Sequence, residues 1–198
     1  METGKPTARN VEFLGRRSEL AGILLHGYLM MLLTIGIYRF WLVTKKRHFY
    51  WAQTRIDGDG LEYTGTAKQL FIGFLVAVAV LLPLYLMVLW GGTQSTGIAV
   101  TTSIIFAVLI YFLSGYALYR ARRFRLTRTL WRGIRFHQGG NAWGYALRRF
   151  GWTLLMIVTA GLVYPFMQSN LWRYRFSNTW YGDRRFSIAG TWRNIAGP

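Results

Sequence analysis

Residues 71–119 run for 49 positions without a Lys, Arg, Asp, Glu or His. No other feature constrains the fold as strongly. A helix crossing the hydrocarbon of a bilayer needs about 20 apolar residues, so this stretch has room for two crossings and a turn. The crossings are expected at about 69–90 and 97–119. Between them lies Gly91-Gly92-Thr93-Gln94-Ser95-Thr96, which is polar and uncharged. A buried helical hairpin of a water-soluble protein would carry a polar stripe on each helix, and neither of these does.

Outside that stretch the charge is one-sided. The 198 residues include 24 Lys plus Arg against 7 Asp plus Glu, a formal charge of +17. Four basic residues precede residue 20, Arg39 stands alone in an apolar run, five lie at 44–70, nine at 120–149 and five after 170. The turn at 91–97 has none. Lys and Arg favour the cytoplasmic flanks of membrane helices, so the turn is expected outside the cytoplasm and the flanks inside it. Hydrophobic residues make up 53% of the chain and charged residues 16%, where an average soluble domain carries about 25% charged. That balance excludes ordinary disorder and an ordinary water-soluble core.

Basic clusters beside apolar spans are what membrane topology requires. The positive charge therefore points to anionic lipid headgroups on the cytoplasmic side rather than to nucleic acid. The candidate contacts are Arg120, Arg122, Arg123, Arg125, Arg128, Arg173 and Arg175. Trp41, Trp51, Trp90, Trp131, Trp143, Trp152, Trp172 and Trp180 lie mostly at apolar–polar boundaries, as in an aromatic belt. The polar N-terminus and the long apolar run after it do not read as a secretory signal peptide. Within the second crossing, Ser103, Ala107, Tyr111 and Gly115 recur every four residues, a seam for packing against another helix.

Catalytic chemistry finds little to build on. There is no Cys, which excludes disulfides, thiolate metal sites and Cys nucleophiles. His26, His48 and His137 are scattered, with no spacing that suits a metal. Asp57-Gly58-Asp59-Gly60 opens like a calcium loop, but the twelfth position is Lys68, where a bidentate Glu belongs. Phosphate-binding and nucleophile-elbow glycine motifs are absent. No catalytic residue, cofactor or metal is expected, and the chain reads as a non-enzyme. Arg39 lies near a cytoplasmic flank and is expected to snorkel. His26 is expected to stay neutral and bond a carbonyl.

Two more apolar segments, 20–43 and 150–171, are long enough to cross a bilayer, yet both are interrupted. The first contains Gly36, the second Gly161 and Pro165; these three are read as structural helix breaks. With a constant offset of 125 the two regions match at Thr34/Thr159, Gly36/Gly161, Thr54/Thr179, Gly65/Gly190 and Thr66/Thr191. Upstream, Val11–Gly15 resembles Ile134–Gly139 with a small gap. Each copy reads as a short strand, a broken apolar helix, a basic aromatic stretch and a strand pair. The turns of those pairs are Asp57-Gly58-Asp59-Gly60 and Tyr181-Gly182-Asp183-Arg184; the strand of copy two runs on through Phe186 and Ile188.

The expected fold is a mainly α-helical membrane protein with internal duplication. It has two transmembrane helices, two Gly/Pro-broken apolar helices and short cytoplasmic β-hairpins. The chain is a single membrane domain, 1–198, with copy one at about 11–66, the central helical hairpin at 69–119 and copy two at about 134–191. Two topologies stay open. If the broken segments cross, the termini and nine basic residues lie outside. If they re-enter, all flanking charges stay cytoplasmic, and the strands around each segment can pair with each other.

The run Thr34-Ile-Gly-Ile-Tyr-Arg-Phe-Trp41, then Lys45-Lys-Arg-His-Phe-Tyr50, Thr54, Asp57-Gly58 and Tyr63-Thr-Gly-Thr66, resembles the YjgN family. Trp131-Arg-Gly-Ile-Arg-Phe136, Tyr164-Pro165 and Asn178-Thr179 with Gly182-Asp183 and Phe186 are similar to it too. The resemblance covers roughly residues 10–192. It implies a multi-pass protein of the bacterial inner membrane and supplies no catalytic residues. Three functions are weighed, of which a membrane enzyme has no residue constellation behind it. Of the remaining two, one is a non-enzymatic membrane protein whose basic cytoplasmic face contacts anionic lipid or a partner. The other is a small transporter or channel, assembled as a homo-oligomer on the duplicated broken helices.

Overall fold

The computed structural model describes residues 10–187. Ile188, Gly190 and Thr191, which entered the reading of copy two, lie outside the described residues. The chain runs β1 (Val11–Phe13), α1 (Arg17–Leu33), α2 (Arg39–Gln53), β2 (Thr54–Ile56), β3 (Asp59–Tyr63), α3 (Ala67–Gly92), α4 (Thr96–Thr127), β4 (Thr129–Trp131), β5 (Ile134–Gln138), α5 (Ala142–Val158), α6 (Tyr164–Ser177), β6 (Thr179–Tyr181) and β7 (Arg184–Arg185). The strands pair antiparallel in chain order.

Two kinds of connection alternate. Tight turns join β2 to β3, β4 to β5 and β6 to β7. Asp57-Gly58 and Arg132-Gly133 both have positive φ, at 53° and 84° and at 50° and 73°, the conformation that lets a two-residue turn follow the strand twist. Helical pairs make the other connections. α1–α2 leaves β1 and returns on its neighbour β2, with Val11 opposite Ile56 and Phe13 opposite Thr54. β3 and β4 flank α3–α4 and pair through Leu61 with Trp131 and Tyr63 with Thr129. β5 and β6 flank α5–α6, with Phe136 opposite Tyr181 and Gln138 opposite Thr179. Each helical pair thus begins and ends on adjacent strands.

α3 and α4 are long and apolar enough to cross a membrane, and neither apolar window is buried by the protein. α4 continues past Tyr119 through Arg120–Thr127. At 32 residues it is about 48 Å long, well over the roughly 30 Å of hydrocarbon.

The segments 20–43 and 150–171 are helix–break–helix. The breaks span 34–38 and 159–163. Ile35 and Gly36 have φ of 50° and 86°, and Ala160 and Gly161 have φ of 48° and 90°. L-residues avoid that region and glycine does not. The backbone bonds repeat as well. Amides 34, 35, 36, 37 and 39 donate to carbonyls 30, 32, 31, 34 and 36. Amides 159, 160, 161, 162 and 164 donate to carbonyls 155, 157, 156, 159 and 161, each 125 positions later. Pro165 is not in the break. It sits in the first turn of α6, where a missing N–H leaves no intrahelical bond unmade.

Gly15 and Gly140 each stand two residues before a helix, α1 and α5. The spacing of 125 therefore holds there with no gap. The alternative pairing of Gly15 with Gly139 needs one.

Contacts divide the chain into two compact units, Met1–Leu75 with Arg128–Arg135, and Val76–Thr127 with Phe136–Pro198. In the first, α1 lies on α2 where Gly27 leaves room for Leu42. Leu42, Tyr63, Ala67 and Trp131 are buried. The Trp51 Nε1–H donates to Thr129 Oγ1 at 2.9 Å, tying α2 to β4. In the second, Tyr119, Ala142, Tyr145, Met167 and Leu171 form the core, with Tyr116, Trp152, Met156 and Tyr174 packed on it. The lower half of the expected seam does pack: Tyr111 bonds Thr153, and Gly115 meets Ala146. Ser103 and Ala107 are exposed.

Candidate anionic-headgroup face

In the second unit the arginines are set by two helix ends. α4 carries Arg120, Arg122, Arg123 and Arg125 on its last two turns, and α6 carries Arg173 and Arg175. Arg120, Arg125 and Arg173 are exposed, while Arg122, Arg123 and Arg175 are half-buried. Arg122 and Arg175 lie close enough to repel one another, and Arg125 adds to this.

The half-buried guanidinium groups rest on rings rather than carboxylates. Arg122 lies over Phe176 at 4.5 Å. Arg175 lies 5.8 Å from the Trp172 ring centroid and 5.9 Å from that of Tyr145. Nearby, Arg148 stacks on Tyr174 at 4.2 Å and Arg149 on Tyr111 at 4.6 Å. Ring faces attract a guanidinium but accept few of its N–H donors. The Arg122 Nε is buried with no hydrogen-bond partner. Among the described residues of this unit Asp183 is the only carboxylate. The buried Arg122 Nε thus has no counter-charge beside it, and an uncompensated buried cationic group is costly.

Arg128 belongs to the first unit, where its Nε donates to Gln69 Oε1 at 3.1 Å. In the same unit Arg132 is paired with Asp59 at 2.5 Å. Arg39 is exposed at the start of α2. His26 is exposed and meets the Tyr38 ring edge-on at 6.1 Å. Among the described residues no three His, Cys, Asp or Glu side chains gather as around a metal ion.

Sequence reasoning missed the aromatic support of these arginines and a buried polar pair beside them. The Tyr119 hydroxyl donates to the Gly139 carbonyl at 2.6 Å. Gln138 is fully buried with its side-chain amide unbonded. Gln138 lies in a strand predicted from the repeat match with Val11–Gly15, and nothing local marks it as buried.

No curated protein and no solved structure matches the chain. The family model described as "Bacterial protein of unknown function (DUF898)" matches residues 8–197. This is the YjgN-type family that the aromatic and glycine motifs resemble, and the chain belongs to it.

Proposed function

We propose that this chain is a non-enzymatic integral protein of the bacterial inner membrane, built on an internal duplication. In this reading α3 and α4 cross the bilayer. The α1–α2 and α5–α6 pairs dip into it from the cytoplasmic side and return. The arginine face holds anionic headgroups on that side.

The observation that carries the reading is the tip of each broken pair. Ile35 is 94% exposed, Val158 83% and Leu162 81%. Exposed apolar side chains crowd the break of each helical pair, while amides 34–37 and 159–162 already donate to carbonyls of the break or of the helix before it. Backbone can approach hydrocarbon only when its polar groups are satisfied. α1 has 17 residues and is about 25 Å long, too short to cross alone. The pairing of β1 with β2 and of β5 with β6 brings the chain back to its starting side. All flanking arginines then lie on one side, in keeping with the positive-inside rule. A transporter would need unwound backbone that offers free groups to a substrate. The engaged amides of both breaks favour a packing role instead.

The chain has no Cys, so single cysteines report topology cleanly. Lys5→Cys and Ile195→Cys are expected to resist a membrane-impermeant maleimide from the periplasm and to react after permeabilisation. A reporter fused within 91–97 is expected to read as periplasmic. Periplasmic labelling of position 5 or 195 would show that a broken segment crosses and would overturn the re-entrant topology.

A further inference from the structure

Two half-buried guanidinium groups from different helices come together in the second unit, Arg122 of α4 and Arg175 of α6. We propose that they form a clamp that holds the phosphate of a single anionic lipid headgroup, while the exposed arginines around them attract lipid diffusely. The inference rests on the membrane topology proposed above and narrows the arginine face to one site.

Hydrogen bonding sets the pair apart. Arg47, Arg128 and Arg149 are half-buried too, and each donates to a side-chain acceptor. Those acceptors are the Tyr63 hydroxyl at 2.9 Å, Gln69 Oε1 at 3.1 Å and Ser114 Oγ at 2.8 Å. The Arg122 Nε is buried without a partner, and that of Arg175 reaches only the Leu171 carbonyl of its own helix, at 3.4 Å. Rings hold both side chains instead. Arg122 lies over Phe176 at 4.5 Å, and Arg175 lies 5.8 Å from Trp172 and 5.9 Å from Tyr145. A ring face orients a guanidinium without occupying its N–H edge. The Nε side of Arg122 is closed off by protein, so compensation of its charge has to arrive at the Nη side.

Electrostatics gives the second argument. α4 ends at Thr127 and α6 at Ser177, and the C-terminal turns of a helix favour cations. That accounts for an arginine on each helix. It does not account for two that repel one another, in a unit whose described residues include one carboxylate, Asp183. An anion shared between them turns the repulsion into attraction. Phosphate suits the place, because its oxygens accept the forked donors of guanidinium in bidentate fashion. Depth favours a lipid as the carrier. Arg122 stands three residues past Tyr119, where the uncharged run ends. Trp172, which supports Arg175, is 48% exposed, and tryptophan collects at the level of the headgroups.

The test exploits the difference between arginine and lysine. Arg122→Lys with Arg175→Lys keeps the charge and removes the planar forks and their ring contacts. The full chain is purified in nonionic detergent, given phosphatidylglycerol and weighed by native mass spectrometry at low and high salt. Salt screens exposed charges far more than half-buried ones. The wild type is therefore expected to hold several lipids at low salt and a single one at high salt. The lysine pair should hold that last lipid about tenfold more weakly, or worse, and keep the others. Arg16→Lys with Arg17→Lys, exposed residues at the start of α1 and outside the arginine face, should match the wild type. Equal retention of the salt-resistant lipid by the lysine pair would overturn the clamp and leave the diffuse face standing. So would a wild type that holds lipid at low salt and none at high salt. A wild type that holds no lipid at either salt would overturn the face and the clamp together. Glycerol 3-phosphate tests the soluble source: if it binds and the lipid does not, the lipid assignment falls. Should the double variant fail to elute as a folded species, Arg175→Lys alone decides, because a clamp fails when either arm is lost.

Discussion

Gly115 of α4 faces the backbone of Ala146 of α5 so closely that a Cβ built on Gly115 would stand 3.1 Å from the Ala146 Cα. The same approach lets Arg149 Nη1 donate to Ser114 Oγ at 2.8 Å and lets Tyr111 bond Thr153. Gly115→Leu is therefore expected to separate the helices and to destabilise the protein by roughly 1–3 kcal/mol, the usual cost of overpacking. Gly73 has no atom within 4 Å of its Cβ position, so Gly73→Leu should have little effect. Thermal unfolding of the purified variants in detergent separates the two. Equal loss in both would mean that α4 and α5 do not rely on this contact.

The helix breaks make a different demand. Nothing lies within 4 Å of a Cβ at Gly36 or Gly161, but their φ values are +86° and +90°. Gly36→Leu and Gly161→Leu should each cost about 1–2 kcal/mol through backbone strain alone. Asn, which tolerates positive φ better, should recover part of that loss. If Leu and Asn behave alike at both positions, strain is not the cause.

Removing the Tyr119 hydroxyl tests the buried polar pair. Tyr119→Phe leaves the Gly139 carbonyl without its 2.6 Å donor and should destabilise by about 1 kcal/mol. Tyr119→Ala also empties part of the core and should cost about 3–5 kcal/mol. Denaturation followed by near-ultraviolet circular dichroism measures both. A neutral Tyr119→Phe would show that this hydrogen bond adds nothing to the packing.

The arginine face predicts salt-sensitive retention of anionic lipid. Exchanging Arg120, Arg122, Arg123 and Arg125 for Gln should weaken retention by several kcal/mol if each contributes about 1 kcal/mol. Native mass spectrometry of the purified protein at low and high salt reads this directly. Because the same residues orient the chain, the 91–97 reporter must be repeated in the variant. Correct insertion with undiminished lipid would leave these arginines as topology signals only.

Features set by neighbours in the chain were legible in the residues. The uncharged run of 71–119 announced α3 and α4, both long and apolar enough to cross a membrane. Gly36 and Gly161 announced the breaks, and Asp57-Gly58 a turn, because glycine takes positive φ without the Cβ penalty that other residues meet. Pro165 was misread for a reason that is also local. Proline interrupts a helix from its interior but suits its first turn, and only the position of Ala160 and Gly161 shows which applies.

What joins distant parts of the chain came from the tertiary structure alone. The pairing of β1 with β2 across the intervening α1–α2 pair, the ring faces under Arg122 and Arg148, and the buried Gln138 depend on which surfaces meet. No residue carries that information in its own neighbourhood. Arg122 shows it most plainly. In the sequence it is one arginine among several on the last turns of α4, and its guanidinium rests on Phe176, 54 residues further along the chain, only because the fold brings α6 beside α4.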